Sequence, residues 1–382
     1  QRMDSLMVAA NIRNLSLLEL FYTCVTNLCK IMDERGTKIP DEQHHYIEKD
    51  DYNKCIYYNR DMDATERTLV VMKDADILIK ICDSTGDFDD TSEYQLLIRL
   101  LKERTIVDGD GSRRLRQKEE VETPSEVLLN PSDPEATFRY KAGGRHLGYV
   151  GNIVESVGKN GSLIIDYAYQ QNTYADNQFM KDYLTVQKDF SEGSFIVADG
   201  AYSGEENSRL ASEHKLKLVT TNFTGRKPDE IYADFVFTDD GKYLIKCKND
   251  CVPEESLYDP GNDRSVAYFR TNDCKECPYK ERCQPRYLKT RVRKEVSWKS
   301  VGRAKQLQYM QTEEFSEYAR FRNGVEAIPS LLRRRYHVDK IPVHGKRRTR
   351  LFFGFKIAAL DFQKLLDYTN SLASYALNEE TA

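Results

Sequence analysis

Apolar and polar positions change rhythm along the chain, and each rhythm predicts a different element. From 16 to about 32, Leu17, Leu18, Phe21, Val25 and Leu28 recur at helical spacing, which marks one buried face of a helix. Ser16 stands ahead of them with Glu19 three residues on, the pattern of a capping box. The stretch 3–11 before this helix reads as a short extended piece with an acid, Asp4, near its start. Segments 64–81 and 92–104 repeat the helical pattern between polar, acid-rich turns, so 37–107 reads as a helical region. The stretch 108–136 carries Asp108-Gly109-Asp110-Gly111 with several Ser and Pro, and reads as a linker or mobile loop.

Strand signals follow. Segments 147–157 and 162–169 are apolar, β-branched and tyrosine-rich, and Gly158-Lys159-Asn160-Gly161 between them supplies hairpin turn chemistry. A helix is expected over 177–187, a strand over 195–198, a short helix over 207–214 and a strand over 216–220. This β-β-α-β-α-β order predicts a mixed α/β sheet. Phe195-Ile196-Val197-Ala198 is apolar without a break, as in a strand buried on both faces. It stops at Asp199-Gly200. That places Asp199 at the carboxyl end of a buried strand, where open α/β sheets put their chemistry. From 222 to 305 the apolar runs shorten and cysteines cluster, and between Arg282 and Lys305 nine Lys or Arg face one acid, Glu295. The tail 309–377 reads as mostly helical, broken near Pro329 and by a loop over 342–345.

Composition narrows the classes. A chain of 382 residues exceeds the roughly 150 residues usual for one domain, so two or three units are expected. A hydrophobic content of 40% supports a real core, and a net charge of −4 excludes a uniformly basic nucleic-acid coat. No apolar run approaches the length of about 18 residues that marks a membrane span, so no membrane partner is expected. The start has no signal pattern and no initiator Met, which reads as an N-terminally truncated or processed chain. Five of the nine cysteines fall between Cys247 and Cys283. That crowding suits a reducing, cytoplasmic setting and a local metal site rather than a disulfide framework.

Two sets of residues carry candidate chemistry. Arg322 and Glu326 are four apart and are expected on one helix face, with Arg333 seven beyond Glu326 and Tyr318 one turn before Arg322. Basic runs follow at Arg333-Arg334-Arg335 and Lys346-Arg347-Arg348-Thr349-Arg350. A carboxylate among cations suits phosphodiester chemistry. Carboxylates from Asp4, Asp199 and Glu326 would together offer hard oxygen ligands for Mg²⁺. The second set is Cys274-x-x-Cys277 with Cys283, and Cys247 and Cys251 upstream. Cys247, Cys274, Cys277 and Cys283 are the preferred ligands of a structural Zn²⁺, with Cys251 able to replace Cys247. Cys24, Cys29, Cys55 and Cys82 read as ordinary helix or core residues. Lys289, Arg291, Arg293, Lys294 and Lys299, with Tyr287 and Trp298 among them, are expected to track a nucleic-acid backbone and stack on bases. No Gly-rich nucleotide loop and no histidine motif is present in the sequence.

The residues Asp4-Ser5, Gly148-Tyr149, Val197-Ala198-Asp199-Gly200-Ala201-Tyr202-Ser203-Gly204 and the run from Arg322 to Tyr336 resemble the DDE transposases of bacterial insertion sequences. The last run is similar to that family's Tyr-Arg-Glu-Lys helix signature, with Arg333 where Lys is usual and Tyr318 one residue further upstream than the usual tyrosine. The resemblance implies an RNase H-like mixed sheet flanked by helices, with a helical insertion and a small Cys-rich insertion. Its parts would be a first strand and helix over 1–34, a helical insertion and linker over 35–136 and a core sheet over 137–221. A Cys-rich basic insertion over 222–305 and a helical part of the core over 306–382 would complete it. It implies Asp4, Asp199 and Glu326 as the catalytic triad holding Mg²⁺ or Mn²⁺, with Glu155 and Asp166 competing for the place of Asp4. Arg322, Arg333, Lys346, Arg347 and Arg348 would contact DNA. The implied activity is cleavage at transposon ends and transfer of a 3′-hydroxyl into target DNA, by a homodimer associated with the nucleoid. A plain nuclease on the same fold and an inactive, zinc-stabilised DNA-binding remnant are the alternatives.

Overall fold

The computed structural model of the chain describes residues 1–58, 62–141, 143–187, 189–223 and 225–379, with side chains described as far as Ser371. In chain order, β1 (Arg2–Ala9) precedes α1 (Leu17–Glu34), a one-turn α2 (Asp51–Asn53), α3 (Ala64–Thr85) and α4 (Ser92–Arg104). Strands β2 (Thr105–Val107), β3 (Arg113–Leu115), β4 (Thr137–Lys141), β5 (Gly144–Gly158) and β6 (Gly161–Gln171) follow. Then come α5 (Asp176–Val186), β7 (Phe195–Ala198), α6 (Glu205–Glu213), β8 (Lys217–Thr220), β9 (Val236–Phe237) and β10 (Leu244–Lys246). Next are β11 (Glu255–Asp259), β12 (Arg264–Arg270), α7 (Thr271–Lys275), α8 (Lys280–Cys283), β13 (Arg286–Tyr287) and β14 (Arg291–Val296). The chain ends in α9 (Trp298–Tyr309), α10 (Glu313–Asn323), α11 (Ala327–Arg334) and α12 (Lys346–Glu379). The class is α/β, with a mixed, open sheet flanked by helices. Among the described residues no helix is long and apolar enough to cross a membrane.

The chain divides into two compact units, one of residues 1–4 with 176–326 and one of 5–175 with 327–382. In the first unit the opening residues of β1 run parallel to β7, with Arg2 opposite Val197, and β7 runs parallel to β8. Val197 and Val219 pack under Phe315 of α10, and Phe195, Tyr318 and Phe321 close around them. A separate antiparallel sheet, in the order β11-β12-β14-β13, follows in the same unit. It shares a small core of Phe235, Phe237, Leu244, Ala267, Phe269, Val296 and Val301.

The second unit holds two cores. One is helical: Phe21, Val25, Leu28 and Met32 of α1 meet Val71, Met72, Ala75 and Leu78 of α3 and Leu97, Leu100 and Leu101 of α4. The expected capping box at Ser16 and Glu19 starts α1, and α4 spans the expected 92–104. The other core lies on the β5–β6 hairpin, where Tyr149, Ile153 and Tyr169 pack with Leu6, Val8, Leu332, Phe353 and Ile357. Gly148, with a positive φ of 138°, lets β5 pass against the backbone of Val8 and Ala10, leaving no room for a Cβ. Residues 108–136, read as a linker or mobile loop, instead hold β3 and are packed. Leu128 is fully buried, Asp133 is buried and accepts from the Tyr149 hydroxyl, and Arg114 pairs with both Asp108 and Glu120. Spacing alone misses this because the anchoring residues, Val127, Leu128 and Leu129, form one short run with no helical or strand period around it.

Candidate active site and cysteine cluster

The site is built on the parallel pair β1–β7. From the register of Arg2 with Val197, two residues further along both strands stand Asp4 and Asp199. Side chains alternate across a strand, so Asp199 shares the face of Phe195 and Val197, and Asp4 shares the face of Arg2. Both faces meet α10. Phe195 lies 4.9 Å from the Tyr318 ring and 5.3 Å from the Phe321 ring. The Arg2 guanidinium stands 4.9 Å over Phe321 and donates to its carbonyl at 3.0 Å. Tyr318 thus packs the helix on the strand and takes Lys217 over its ring at 4.9 Å.

Asp199 is held firmly. Its Oδ1 accepts from the Gly200 amide at 2.6 Å and from Asn222 Nδ2 at 2.7 Å, which leaves Oδ2 turned to Arg322 at 3.9 Å. Arg322 also donates to Glu326 at 3.4 Å, so one guanidinium spans both carboxylates. It is 12% exposed, against 38% for Asp199 and 67% for Glu326, and its Nε is buried without a partner among the described residues. A largely buried guanidinium thus holds two more accessible carboxylates on one side of the helix end.

Asn222 and Arg2 were not singled out from the sequence. The topology supplies the missing signal for Asn222: β7 and β8 are parallel neighbours with Ala198 opposite Thr220, so the loop after β8 opens beside Asp199.

Arg322 and Glu326 do not share one helix, as their spacing suggested. Helix α10 ends at Asn323, Gly324–Glu326 is a 3₁₀ turn, and α11 begins at Ala327. Pro329 is the reason: it has no N–H to give the Val325 carbonyl, so a continuous α-helix is broken there, while the first turn of α11 tolerates it. A Cβ at Gly324 would displace the Arg2 guanidinium that rests there.

The two rival acids are engaged elsewhere. Glu155 is 1% exposed and pairs with Lys364 of α12 at 3.5 Å. Asp361 lies in the same cluster, its carboxyl pushed up by burial and by Glu155. Asp166 is exposed on β6 and accepts from the Tyr167 amide at 2.8 Å. Arg333 is exposed near the end of α11. Lys346, Arg347 and Arg348 form the first turn of α12, which carries no acid; cations there oppose the helix dipole.

The basic strand β14 departs from expectation. Its alternation buries Val292, Lys294 and Val296, so Lys294 donates to the Tyr232 hydroxyl at 2.8 Å and to the Cys283 carbonyl rather than facing a polyanion. Arg291 and Arg293 are paired with Glu255 and Glu295. Tyr287 and Trp298 are exposed.

All five cysteines from Cys247 to Cys283 line one cavity of about 30 Å³, floored by Phe235 and Phe269. None is in a disulfide. Burial first, and the neighbouring thiols second, push Cys274 up to about 12. Cys24, Cys29 and Cys82 are buried in the helical core and Cys55 is half-buried against it. Among the described residues, no group of three or more His, Cys, Asp or Glu is arranged as the ligand set of a metal ion.

Residues 251–366 match the family model described as a transposase DDE domain. The match takes in Cys251 and the three later cysteines, Arg322, Glu326, Arg333 and the basic turn of α12; it leaves out Asp4, Asp199 and Cys247. No curated protein and no solved structure matches the chain. The chain is therefore similar to transposase DDE domains over less than a third of its length.

Proposed function

We propose that the chain is a metal-dependent DNA strand-transfer enzyme of the DDE transposase type. Asp4, Asp199 and Glu326 would act together, and Mg²⁺ or Mn²⁺ would be the cofactor. The observation that carries this reading is Arg322 bridging Asp199 and Glu326, with Asp4 two residues beyond Arg2, which pairs with Val197 two residues before Asp199. The match of residues 251–366 to a transposase DDE domain supports it independently.

The donors fit the ion in kind: carboxylate oxygens, with Asp199 and Glu326 open to solvent, are what a hard divalent cation takes. When bound, such ions activate an attacking oxygen and stabilise the leaving one in displacement at phosphorus. The protein's own part is positioning. Asn222 and the Gly200 amide fix the Asp199 carboxylate, and Arg322 holds Glu326 close to it. The exposed Arg333 and the first turn of α12 would contact the DNA backbone. Cations placed against a helix dipole are stabilised once a polyanion covers them. DNA is the expected partner, as transposon ends and as target, and a homodimer would pair two ends.

The test is a joining assay in Mn²⁺ or Mg²⁺, using duplexes cut from the DNA flanking the coding sequence and bearing a free 3′-hydroxyl, with a plasmid target. Covalent joining is expected, and loss of joining in Asp199→Ala and Glu326→Ala. Cleavage without joining would instead make the chain a nuclease. Binding with neither would make it an inactive DNA-binding remnant.

A further inference from the structure

The cysteine cavity is independent of the carboxylate site and calls for its own account. Its five thiols come from three short segments: Cys247 and Cys251 flank a turn after β10, Cys274 and Cys277 lie in and just after α7, and Cys283 ends α8. The turn is closed by the Cys247 amide donating to the Cys251 carbonyl at 3.1 Å. Helix α8 is only Lys280–Cys283 and α7 only Thr271–Lys275, too short to be stable by themselves. The core beneath is equally small. Seven buried apolar residues form it, and Cys247, Cys251, Cys274 and Cys283 pack on them. A region of this size usually needs a staple. Disulfides do not provide it, and the cavity has room for about one ion or one water.

We propose that Cys247, Cys274, Cys277 and Cys283 bind one structural zinc ion, and that Cys251 is the spare thiol. Four thiolates on short loops with a Cys-x-x-Cys pair are the donor set zinc takes in closed sites. Cys251 is set apart by its hydrogen bonding: its thiol donates to the Asn249 carbonyl at 3.4 Å and accepts from Asn249 Nδ2 at 3.7 Å. Both contacts hold the Cys251 sulfur against its own turn. The other four would lose their protons on binding, and the loops would draw in around the ion.

The test uses the chain purified under reducing conditions, with zinc measured by elemental analysis and site symmetry read from the visible spectrum of the cobalt-substituted protein. About one zinc per chain is expected, with the cobalt spectrum of a tetrahedral thiolate site. Removing the metal with a chelator should lower the melting temperature, and zinc should restore it. Cys251→Ser should keep the metal, and Cys274→Ser and Cys277→Ser should lose it. Cobalt titration of the unaltered chain decides the matter even if a variant fails to fold. Zinc below about a tenth of an equivalent together with no tetrahedral cobalt spectrum would overturn the site. Loss of metal in Cys251→Ser would overturn the choice of ligands. The readout is metal content, so it stands or falls apart from DNA strand transfer.

Discussion

Two carboxylate–cation clusters in this chain use the same chemistry to opposite ends. Glu155 and Lys364, with Asp361 beside them, sit where α12 packs on the β5–β6 hairpin, and the Glu155 side chain is 1% exposed. Asp361 accepts from the Ile164 amide at 3.1 Å, and Lys364 donates to Ser162 at 3.0 Å, so every member of the cluster ties helix to strand. Asp199 and Glu326 share Arg322 in the reverse arrangement, with the cation buried and the carboxylates open. A buried acid is committed to its lysine and cannot be given to a ligand without a large loss. An exposed acid on a buried arginine can be given up cheaply. The difference separates an acid locked into packing from acids open to solvent.

The comparison can be broken first through stability. Lys364→Met leaves Glu155 buried without its cation and should cost about 3 kcal/mol, read as a lower urea midpoint. Glu326→Gln, at an open position, should stay within about 0.5 kcal/mol. Equal losses would erase the distinction.

The next effect is on DNA binding. Replacing Lys346, Arg347 and Arg348 by Ala should weaken duplex binding and flatten the dependence of log K on log salt by up to about 3. Binding affinity measured across a salt series checks this, and folding stability should rise slightly as the clash with the α12 dipole is relieved.

A smaller effect concerns pH. Burial raises the Asp361 carboxyl above its ordinary value, so in the folded chain ionisation of this group costs stability. That cost is absent below the ordinary carboxyl pKa, grows as pH rises from there to the raised folded value, and is constant above it. Asp361→Asn should therefore be the more stable form at neutral pH. Its advantage should vanish as pH falls below the ordinary carboxyl pKa of about 3.9, as followed by melting temperature across pH. The smallest effect is expected at Asp166, whose exposed carboxylate accepts from the Tyr167 amide next to it. Asp166→Asn should leave both stability and DNA cleavage near those of the parent.

Much of this frame was legible in the residues. The unbroken apolar run ending at Asp199 predicted β7 to the residue, and the Ser16–Glu19 pair predicted the start of α1. Strong local patterns survive folding because propensity, capping and burial agree at those positions. What was missed depends on long-range register. Asn222 reaches Asp199 only because β8 pairs with β7. Lys294 turns inward only because β14 pairs between β12 and β13 with its even-numbered residues buried. The break at Gly324 was foreshadowed by Pro329, whose missing N–H outweighs the four-residue spacing of Arg322 and Glu326. For the cysteines, spacing gathered the right residues, and only the hydrogen bond to Asn249 sets Cys251 apart.

The most direct measurement of the central claim is metal-dependent cleavage of DNA flanking the coding sequence, run side by side on the parent chain and on Asp4→Asn, Asp199→Asn, Glu326→Gln and Glu155→Gln, each checked for folding. The account predicts that the first three fall to background while Glu155→Gln still cuts. A folded Glu155→Gln that is inactive beside an active Asp4→Asn would contradict it.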